Sequence, residues 1–390
     1  MSLSILRYSG TYLKSFRAMI IFTTLFKDIS EKGWKISIIF EKPAEVEGWV
    51  KGINTYGGQI VYLPRPRRNF DLATIRRTFL LCRKLRCDVV HCDNIHTSPL
   101  IGAALAGVPV RIWSKRSMNH EFEKRQKPGI RDTIAISTRI SCLLSTRILA
   151  VSDSVRNELI KFKMPSSKIL TFNNSLSVYD FSKVNREDAR LRFGYDKNDV
   201  VVVTVGHAAP VKGWDILLDA FSEISDSYPC LKVVLVGSTD IPHEQGYFAE
   251  LIRRVNACRL NQRVKFMGHI PDVTEALVAG DIFVLPSRSE GNSNALIEAL
   301  CAGLPCIATR VGAADQMIQD GANGFLVERE DPCEMGRSLL ALAADKNLRN
   351  CMAVKSRPPK WIPTPEEYNK TLMHLYETLS IRAGKLRSFV

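Results

Sequence analysis

The 390-residue sequence lacks an apolar run of the roughly 18 residues that a membrane-spanning helix requires, although 45% of it is hydrophobic. Its apolar segment 16–26 has no small-residue cleavage site after it, so it indicates a buried helix rather than a signal peptide. The ten cysteines include no Cys-x-x-Cys pair. This pattern argues against a zinc or dithiol site and is typical of cysteines kept reduced in the cytosol. We therefore expect a cytoplasmic protein.

Positive charge is distributed unevenly along the chain. Residues 1–170 contain 29 Lys and Arg against 13 Asp and Glu, whereas residues 171–390 contain 25 against 27. The excess indicates either a surface that meets an anionic partner or a solvated basic face that meets none. We expect residues 51–147, where it is densest, to contact an anionic membrane at its inner face. Interleaved aromatic residues and recognised binding modules are missing, so we expect no nucleic acid partner.

Short β-rich segments alternate with helical ones in both halves of the chain. Segments such as 200–206 and 231–237 are apolar throughout, as strands covered on both faces are. This alternation predicts an α/β fold of two Rossmann-like, doubly wound domains facing each other across a cleft. The predicted strands are 4–9, 35–41, 59–63, 87–92, 108–114 and 147–152, then 200–206, 231–237, 264–268, 281–286, 305–309 and 324–327.

Composition also suggests where the domains divide. We assign residues 1–172 to an N-terminal domain and residues 199–364 to a C-terminal domain. The polar stretch 173–198 between them indicates a linker with a short surface helix, and residues 365–390 begin with an amphipathic helix.

Two glutamates, Glu290 and Glu298, lie on either side of a Gly-Asn-Ser-Asn turn. A predicted strand precedes the turn, and a helix that ends at Gly303 follows it, with Ser293 or Asn294 as its N-cap. Backbone N–H groups and the helix dipole favour a phosphate there. The glutamates could then hold hydroxyl groups at either end of a diphosphate. They could equally be acids beside a positive helix end, and the spacing alone favours neither reading.

A second strand–loop–helix element carries Lys212. The lysine follows the apolar strand 200–206 and precedes an amphipathic helix that opens at Gly213. At the carboxyl end of a strand, a lysine can reach the same diphosphate as a point charge. The commoner fate of a loop lysine is simple exposure to solvent.

Together these elements resemble the retaining GT-B glycosyltransferases of glycosyltransferase family 4. Glu290 and Glu298 match the E-x7-E motif of that family, and residues 205–221 match its strand–loop–Lys-Gly element. The similarity extends roughly over residues 147–328 and rests on layout alone before them. The helix that begins at 365 resembles the family's last helix, which returns to the N-terminal domain.

The resemblance implies a UDP- or GDP-sugar donor bound by the C-terminal domain and an acceptor bound by the N-terminal domain. It implies that Lys212 neutralises the diphosphate and Glu290 contacts the donor sugar, both in catalytic roles, while Glu298 contacts the ribose. The implied donor-binding residues are Lys212, His207, Glu290, Gly291, Asn292, Ser293, Asn294, Ala295, Leu296, Glu298, His269, Ile270 and Gly10.

The resemblance also implies a mechanism and a biological role. Transfer would be front-face with retention, the leaving phosphate would assist deprotonation of the acceptor, and no cofactor would be needed. The sequence has no Asp-x-Asp pair, which agrees with a metal-independent reaction. We expect the acceptor to be a polyprenyl-linked or cell-surface glycan of cell-envelope polysaccharide biosynthesis.

Several positions depart from the family pattern. His207 stands where the family usually has arginine, Gln316 where a glutamate is expected, and Gly10 alone remains of a glycine pair. A second hypothesis is therefore a catalytically degenerate GT-B protein that binds a nucleotide or glycan without turnover, and a nucleotide-sugar epimerase is a third. The family's histidine after a later strand is also absent. Ser114, Lys115 or Arg116, or else His120, could occupy that region. His91 and His96 could face the cleft or be ordinary hydrogen-bonded histidines.

Overall fold

A computed structural model describes residues 2–10, 16–41, 47–67, 69–93, 97–118, 133–161, 163–176, 179–240 and 244–384. The chain divides into two units. Unit 1 comprises residues 1–117, 121–175 and 363–390, and unit 2 comprises residues 118–120 and 176–362.

Among the described residues, unit 1 contains a parallel sheet of seven strands. These are β1 (Ser4–Gly10), β2 (Lys35–Phe40), β3 (Gln59–Tyr62), β4 (Val89–Cys92), β5 (Val110–Lys115), β6 (Arg147–Ala150) and β7 (Ile169–Thr171). Their order in the sheet is β3-β2-β1-β4-β5-β6-β7. Because β1 pairs with both β2 and β4, the order reverses at β1, as in doubly wound folds.

Helices connect the strands of unit 1. They are α1 (Phe16–Glu31), α2 (Glu47–Thr55), α3 (Leu72–Leu85), α4 (Ser98–Leu105), α5 (Thr133–Leu144) and α6 (Asp153–Lys161). Helix α1 buries Leu25, Phe26 and Ile29 completely, which confirms that segment 16–26 belongs to a core helix. Helix α3 begins where Asp71 accepts a hydrogen bond from the backbone of Ala73.

Unit 2 has a six-stranded parallel sheet within its described part. Its strands are β8 (Val200–Val205), β9 (Leu231–Val236), β10 (Val264–Phe266), β11 (Ile282–Leu285), β12 (Cys306–Thr309) and β13 (Gly324–Val327). Their order is β10-β9-β8-β11-β12-β13. The helices are α7 (Arg186–Phe193), α8 (Trp214–Ile224), α9 (Gln245–Ala257), α10 (Thr274–Ala279), α11 (Asn294–Cys301), α12 (Ala314–Met317), α13 (Pro332–Ala344) and α14 (Lys346–Lys355).

The sheet of unit 2 is covered on both faces. Val200 and Val202 of β8 pack into one apolar cluster with Trp214. The alternate residues Val201 and Val203 pack into another cluster on the opposite face, with the apolar side of α11. Two-sided burial explains why these strands are continuously apolar rather than alternating.

The structure confirms the predicted α/β fold of two doubly wound, Rossmann-like sheets. Every predicted strand is present, with ends that shift by one or two residues. Strand β7, which has three residues and lies at the edge of its sheet, was not predicted. The short surface helix expected between the halves is α7, which lies in unit 2.

One more helix, α15 (Pro365–Arg382), belongs to unit 1. It opens with a capping box in which Thr364 and Glu367 exchange side-chain and backbone hydrogen bonds. The side chain of Asn369 donates to the Ile21 carbonyl of α1 at 3.3 Å. Unit 1 therefore includes a C-terminal segment that is distant in the sequence from the rest of the unit.

All ten cysteines are free thiols, and five of them are buried. None of the described helices combines the length and apolar character that crossing a membrane requires. Within the described ranges, no group of three or more His, Cys, Asp or Glu side chains is placed to hold a metal ion.

Candidate functional site

The carboxyl edge of the sheet in unit 2 brings Lys212 and Glu290 together. Lys212 ends a short 3₁₀ turn (Pro210–Lys212) after β8, and Glu290 lies in the loop after β11. The two strands are neighbours, so residues 78 positions apart meet: the Lys212 Nζ to Glu290 Oε1 distance is 2.7 Å. Ser287 Oγ donates to the same carboxylate oxygen at 2.8 Å. The lysine and the loop glutamate thus form a preorganised, half-buried pair.

Two glycines allow these loops to approach each other. Gly213 has φ +64°, and a Cβ there would lie 1.9 Å from the Pro286 carbonyl oxygen. Gly312 has φ +59°, and its Cβ would lie 2.6 Å from the Gly291 oxygen and 2.7 Å from the Glu290 oxygen. A side chain at either position would push apart the segments that carry the pair.

Helix α11 begins directly after the loop of Glu290. Its N-cap is Ser293, whose hydroxyl accepts from the Leu296 N–H at 3.3 Å, which decides between the two candidate caps. Glu298 lies one turn further along and is only 6% exposed. Ser293 therefore supplies the side-chain cap of α11, and Glu290 contacts Lys212.

His207 lies between β8 and the turn of Lys212. Desolvation and the nearby ammonium group of Lys212 lower its pKa, and Glu290 opposes that shift only in part. The imidazole is therefore neutral at pH 7, unlike the arginine that the family pattern places there. A neutral imidazole can still donate one hydrogen bond to an anion.

The remaining predicted donor-site residues are spread along the two units. Residues 291–296 form the loop and first turn of α11, beside the Lys212–Glu290 pair. His269 and Ile270 follow β10, which is separated from β8 by β9, and His269 is exposed. Gly10 is the last residue of β1 in unit 1.

His91, which could have faced the cleft or been an ordinary hydrogen-bonded histidine, is a core residue of unit 1. His91 is fully buried, and its ring nitrogens bond to Tyr376 Oη and Ser114 Oγ, each at 2.7 Å. Burial lowers the pKa of His91 to about 3, so it stays neutral. Lys115 is likewise buried, whereas His96 and His120 lie outside the described residues.

A charged cluster adjoins His91 and was not anticipated from the sequence. Asp93 accepts from Arg7 Nε at 2.5 Å and from Arg116 Nη2 at 2.8 Å. Arg7 and Asp93 are each 2% exposed. Burial alone would raise the pKa of Asp93, but the two guanidinium groups hold it well below its ordinary value. The charge on Asp93 is therefore permanent at neutral pH.

Comparison with known families finds matches in both halves of the chain. Residues 22–177 match the model described as Glycosyltransferase Family 4. Residues 199–345 match the model described as Glycosyl transferases group 1. The second match contains His207, Lys212, Glu290 and Glu298.

Two curated relatives are similar to the chain over more than half of its length. The chain is 27% identical over 233 residues to N-acetyl-alpha-D-glucosaminyl L-malate synthase of Bacillus anthracis, covering 60% of this chain and 58% of that protein. It is 25% identical over 292 residues to the Escherichia coli UDP-Gal:alpha-D-GlcNAc-diphosphoundecaprenol alpha-1,3-galactosyltransferase, covering 72% of this chain and 74% of that protein.

Among solved structures, the Anabaena protein HepE in complex with UDP and glucose has a similar fold. The TM-score is 0.78 at 17% sequence identity, and the match covers 96% of this chain and 100% of that one. At this level of identity the likeness concerns the fold, which in both cases is GT-B.

Proposed function

The chain belongs to the nucleotide-sugar-dependent glycosyltransferases of the GT-B fold, and we propose that unit 2 binds a UDP- or GDP-sugar through Lys212 and Glu290. Transfer would proceed with retention and without a metal ion, to a polyprenyl-linked or cell-surface glycan. The observation that carries this proposal is the 2.7 Å pair of Lys212 and Glu290 at the carboxyl edge of the sheet, beside the N-terminus of α11.

Each group of the pair suits one part of the donor. The ammonium group has three donors, so Lys212 can keep its bond to Glu290 and still bond to a diphosphate. Glu290 can accept hydrogen bonds from sugar hydroxyls, and the backbone of residues 291–295 can donate to phosphate at the start of α11. Glu298 would accept from the ribose hydroxyls, while backbone at His269 and Ile270 would contact the base.

These groups suit a reaction in which negative charge develops on the leaving diphosphate. Lys212 and the amides of α11 are fixed before the donor arrives, so they stabilise that charge without reorganising. A leaving phosphate oxygen can take the proton from the acceptor hydroxyl as the new bond forms on the same face. The protein then contributes orientation and charge stabilisation, and no protein nucleophile is needed.

Helix α3 has an exposed basic surface, which supports the proposal that the acceptor is bound to a membrane. Leu72 is 80% exposed and Leu80 is 50% exposed. Arg76 and Arg77, which lie between them in the sequence, are exposed as well. Exposed leucines among arginines are typical of helices that lie on anionic membranes. We propose that α3 contacts the membrane, in keeping with the diphosphoundecaprenol-linked acceptor of the Escherichia coli relative.

Vesicle flotation tests the membrane contact. Arg76→Glu/Arg77→Glu should reduce binding to phosphatidylglycerol-containing vesicles at least fivefold, because it reverses two charges near the lipid surface. Arg253→Glu/Lys346→Glu makes the same charge change at exposed positions of unit 2 and should have little effect. Equal losses in the two variants would contradict a contact through α3.

Calorimetry with UDP and GDP, in the presence of EDTA, tests the donor site. Lys212→Ala should weaken binding of the preferred nucleotide about tenfold or more, corresponding to about 1.4 kcal/mol. Lys232→Ala is the matched control, because Lys232 also pairs with a carboxylate, that of Asp199 at 3.9 Å, away from Glu290. Similar affinities for both variants would refute the assignment of Lys212.

The roles of the two glutamates can be distinguished by measuring both nucleotide-sugar binding and turnover. Glu298→Ala should weaken binding of the nucleotide sugar, because its ribose contact would be lost. Glu290→Ala should mainly reduce turnover, by about a hundredfold, because it orients the reacting sugar. Binding without turnover in the unmodified protein would instead indicate the degenerate GT-B protein considered above.

A further inference from the structure

Arg288 uses every hydrogen-bond donor of its guanidinium group within unit 2. Nε donates to Glu330 Oε1 at 2.7 Å, and Nη2 donates to Glu330 Oε2 at 3.0 Å and Asp215 Oδ2 at 2.7 Å. Nη1 donates to Asp215 Oδ1 at 2.8 Å and to the Pro210 carbonyl at 2.6 Å. With all five N–H groups engaged, the side chain has no donor left for a ligand.

The partners of Arg288 are themselves held in place. Tyr247 Oη donates to Asp215 Oδ1 at 2.6 Å and accepts from the Asp215 backbone N–H at 3.1 Å. Burial would raise the pKa of Asp215, but the bonds from Arg288 and Tyr247 lower it overall. Glu330 adopts φ +59°, a left-handed conformation that is unfavourable for a residue other than glycine. The ion pair with Arg288 holds the side chain of this residue in place.

The same arginine connects the two segments that carry Lys212 and Glu290. Its backbone N–H donates to the Val211 carbonyl at 2.8 Å, and its side chain bonds to Pro210, so it contacts both residues before Lys212. Arg288 also lies two residues before Glu290 in the loop after β11. The distance between the ammonium and carboxylate groups therefore depends on where Arg288 is anchored.

We propose that Arg288, anchored by Asp215, Tyr247 and Glu330, is a positioning residue that holds Lys212 against Glu290 for the diphosphate of the donor. This inference rests on the donor site proposed above. Arg288 acts on donor binding only through Lys212 and Glu290. Lysine at this position would keep the charge but could not bond to both carboxylates in the same planar geometry.

The test compares UDP with uridine, and GDP with guanosine, by ligand-observed NMR titration. Arg288→Met should weaken binding of the nucleoside diphosphate about five- to tenfold and change that of the nucleoside less than twofold, because Lys212 serves the diphosphate. Arg288→Lys should show a smaller loss with the same selectivity. Tyr247→Phe, which removes only a hydroxyl, should weaken diphosphate binding about twofold and provides a mild variant if Arg288→Met does not fold.

Arg254→Met is the matched control. Arg254 bonds to Asp219 of α8 and Glu250 of α9, the same helices that supply Asp215 and Tyr247. It should change neither affinity more than twofold, while thermal unfolding reports the stability cost in each variant. A loss shared equally by diphosphate and nucleoside, or a similar loss in Arg254→Met, would show a merely structural role and overturn the proposal.

The failure of this inference can be distinguished from failure of the donor site. If Lys212→Ala loses affinity for the nucleoside diphosphate but Arg288→Met, Arg288→Lys and Tyr247→Phe all retain it, only the positioning role is refuted. If Lys212→Ala retains full affinity, or the unmodified protein binds neither UDP nor GDP, the donor site itself is wrong, and the positioning role fails with it.

Discussion

Replacing Asp93 by asparagine should destabilise unit 1 severely. The carboxylate accepts hydrogen bonds from Arg7 and Arg116, and Arg7 is 2% exposed. Asparagine keeps nearly the same shape but removes the negative charge, so the guanidinium of Arg7 remains buried without its counter-ion. The face of Phe22, 4.6 Å from the Arg7 guanidinium carbon, offers only a weaker attraction.

The expected loss follows from the cost of leaving a buried charge uncompensated. Breaking such a pair costs about 3–5 kcal/mol, a large part of a typical total stability of about 5–15 kcal/mol. The pKa of Asp93 is lowered in the folded protein, so its contribution is complete above the unfolded pKa of about 4 and declines as pH falls below it. The difference between the unmodified protein and Asp93→Asn should therefore shrink below about pH 4.

Denaturant titration, with hydrogen exchange measured on individual peptides, can report this loss of stability in unit 1 separately from unit 2. Asp28→Asn is the control, because burial raises the pKa of Asp28 and its charge does not stabilise the fold. Arg7→Met/Asp93→Asn should lose less than the sum of the single variants, since no buried guanidinium then lacks its partner. A loss below about 1 kcal/mol for Asp93→Asn, or additive losses in the double variant, would refute the reasoning.

Three further results are expected. Because desolvation and Lys212 lower the pKa of His207 and a bound diphosphate would raise it, UDP affinity relative to His207→Arg should increase as pH falls from 8 to 6, by at most about tenfold for each pH unit. A constant ratio in calorimetry would contradict this. Gly312→Ala should lower the free energy of unfolding by about 1–3 kcal/mol and weaken UDP binding. Gly321→Ala is the control, because Gly321 also has a positive φ (+75°) but open space around it, and it should leave binding intact. Equal binding losses in the two variants would exclude a role for the contact of Gly312 with the loop of Glu290. Tyr376→Phe should lower thermal stability by about 1–3 kcal/mol by leaving the His91 ring nitrogen without its partner, and an unchanged melting temperature would argue against that bond.

The sequence predicted the sheets well because the strands of a doubly wound fold are buried on both faces. A run such as β8 (Val200–Val205) is apolar at every position, and no helix period competes with it. Strand β7 (Ile169–Thr171) carries no such signal. It has three residues, lies at an edge, and leaves Leu170 38% exposed.

The sequence was sufficient to predict where the candidate site lies, but not which side chains meet there. Strand-to-loop transitions placed Lys212 and Glu290 at carboxyl ends of strands, and the pairing of β8 with β11 supplies their contact. The role of Arg288 could not be predicted from the sequence, because its partner Asp215 is 73 residues away and no local sequence pattern connects the two residues. The environment of His91 depends on Tyr376, 285 residues later, so the sequence could not decide whether it faces a ligand or the core.

The position of α15 has a consequence for how the protein is made on the ribosome. Unit 1 includes residues 363–390, and its buried contacts require Asn369 and Tyr376. A nascent chain that has completed the whole of unit 2 still lacks this part of unit 1, whose synthesis began first. The residues of unit 2 are therefore made almost entirely as one continuous stretch, while the core of unit 1 waits for a helix encoded almost 200 codons after β7.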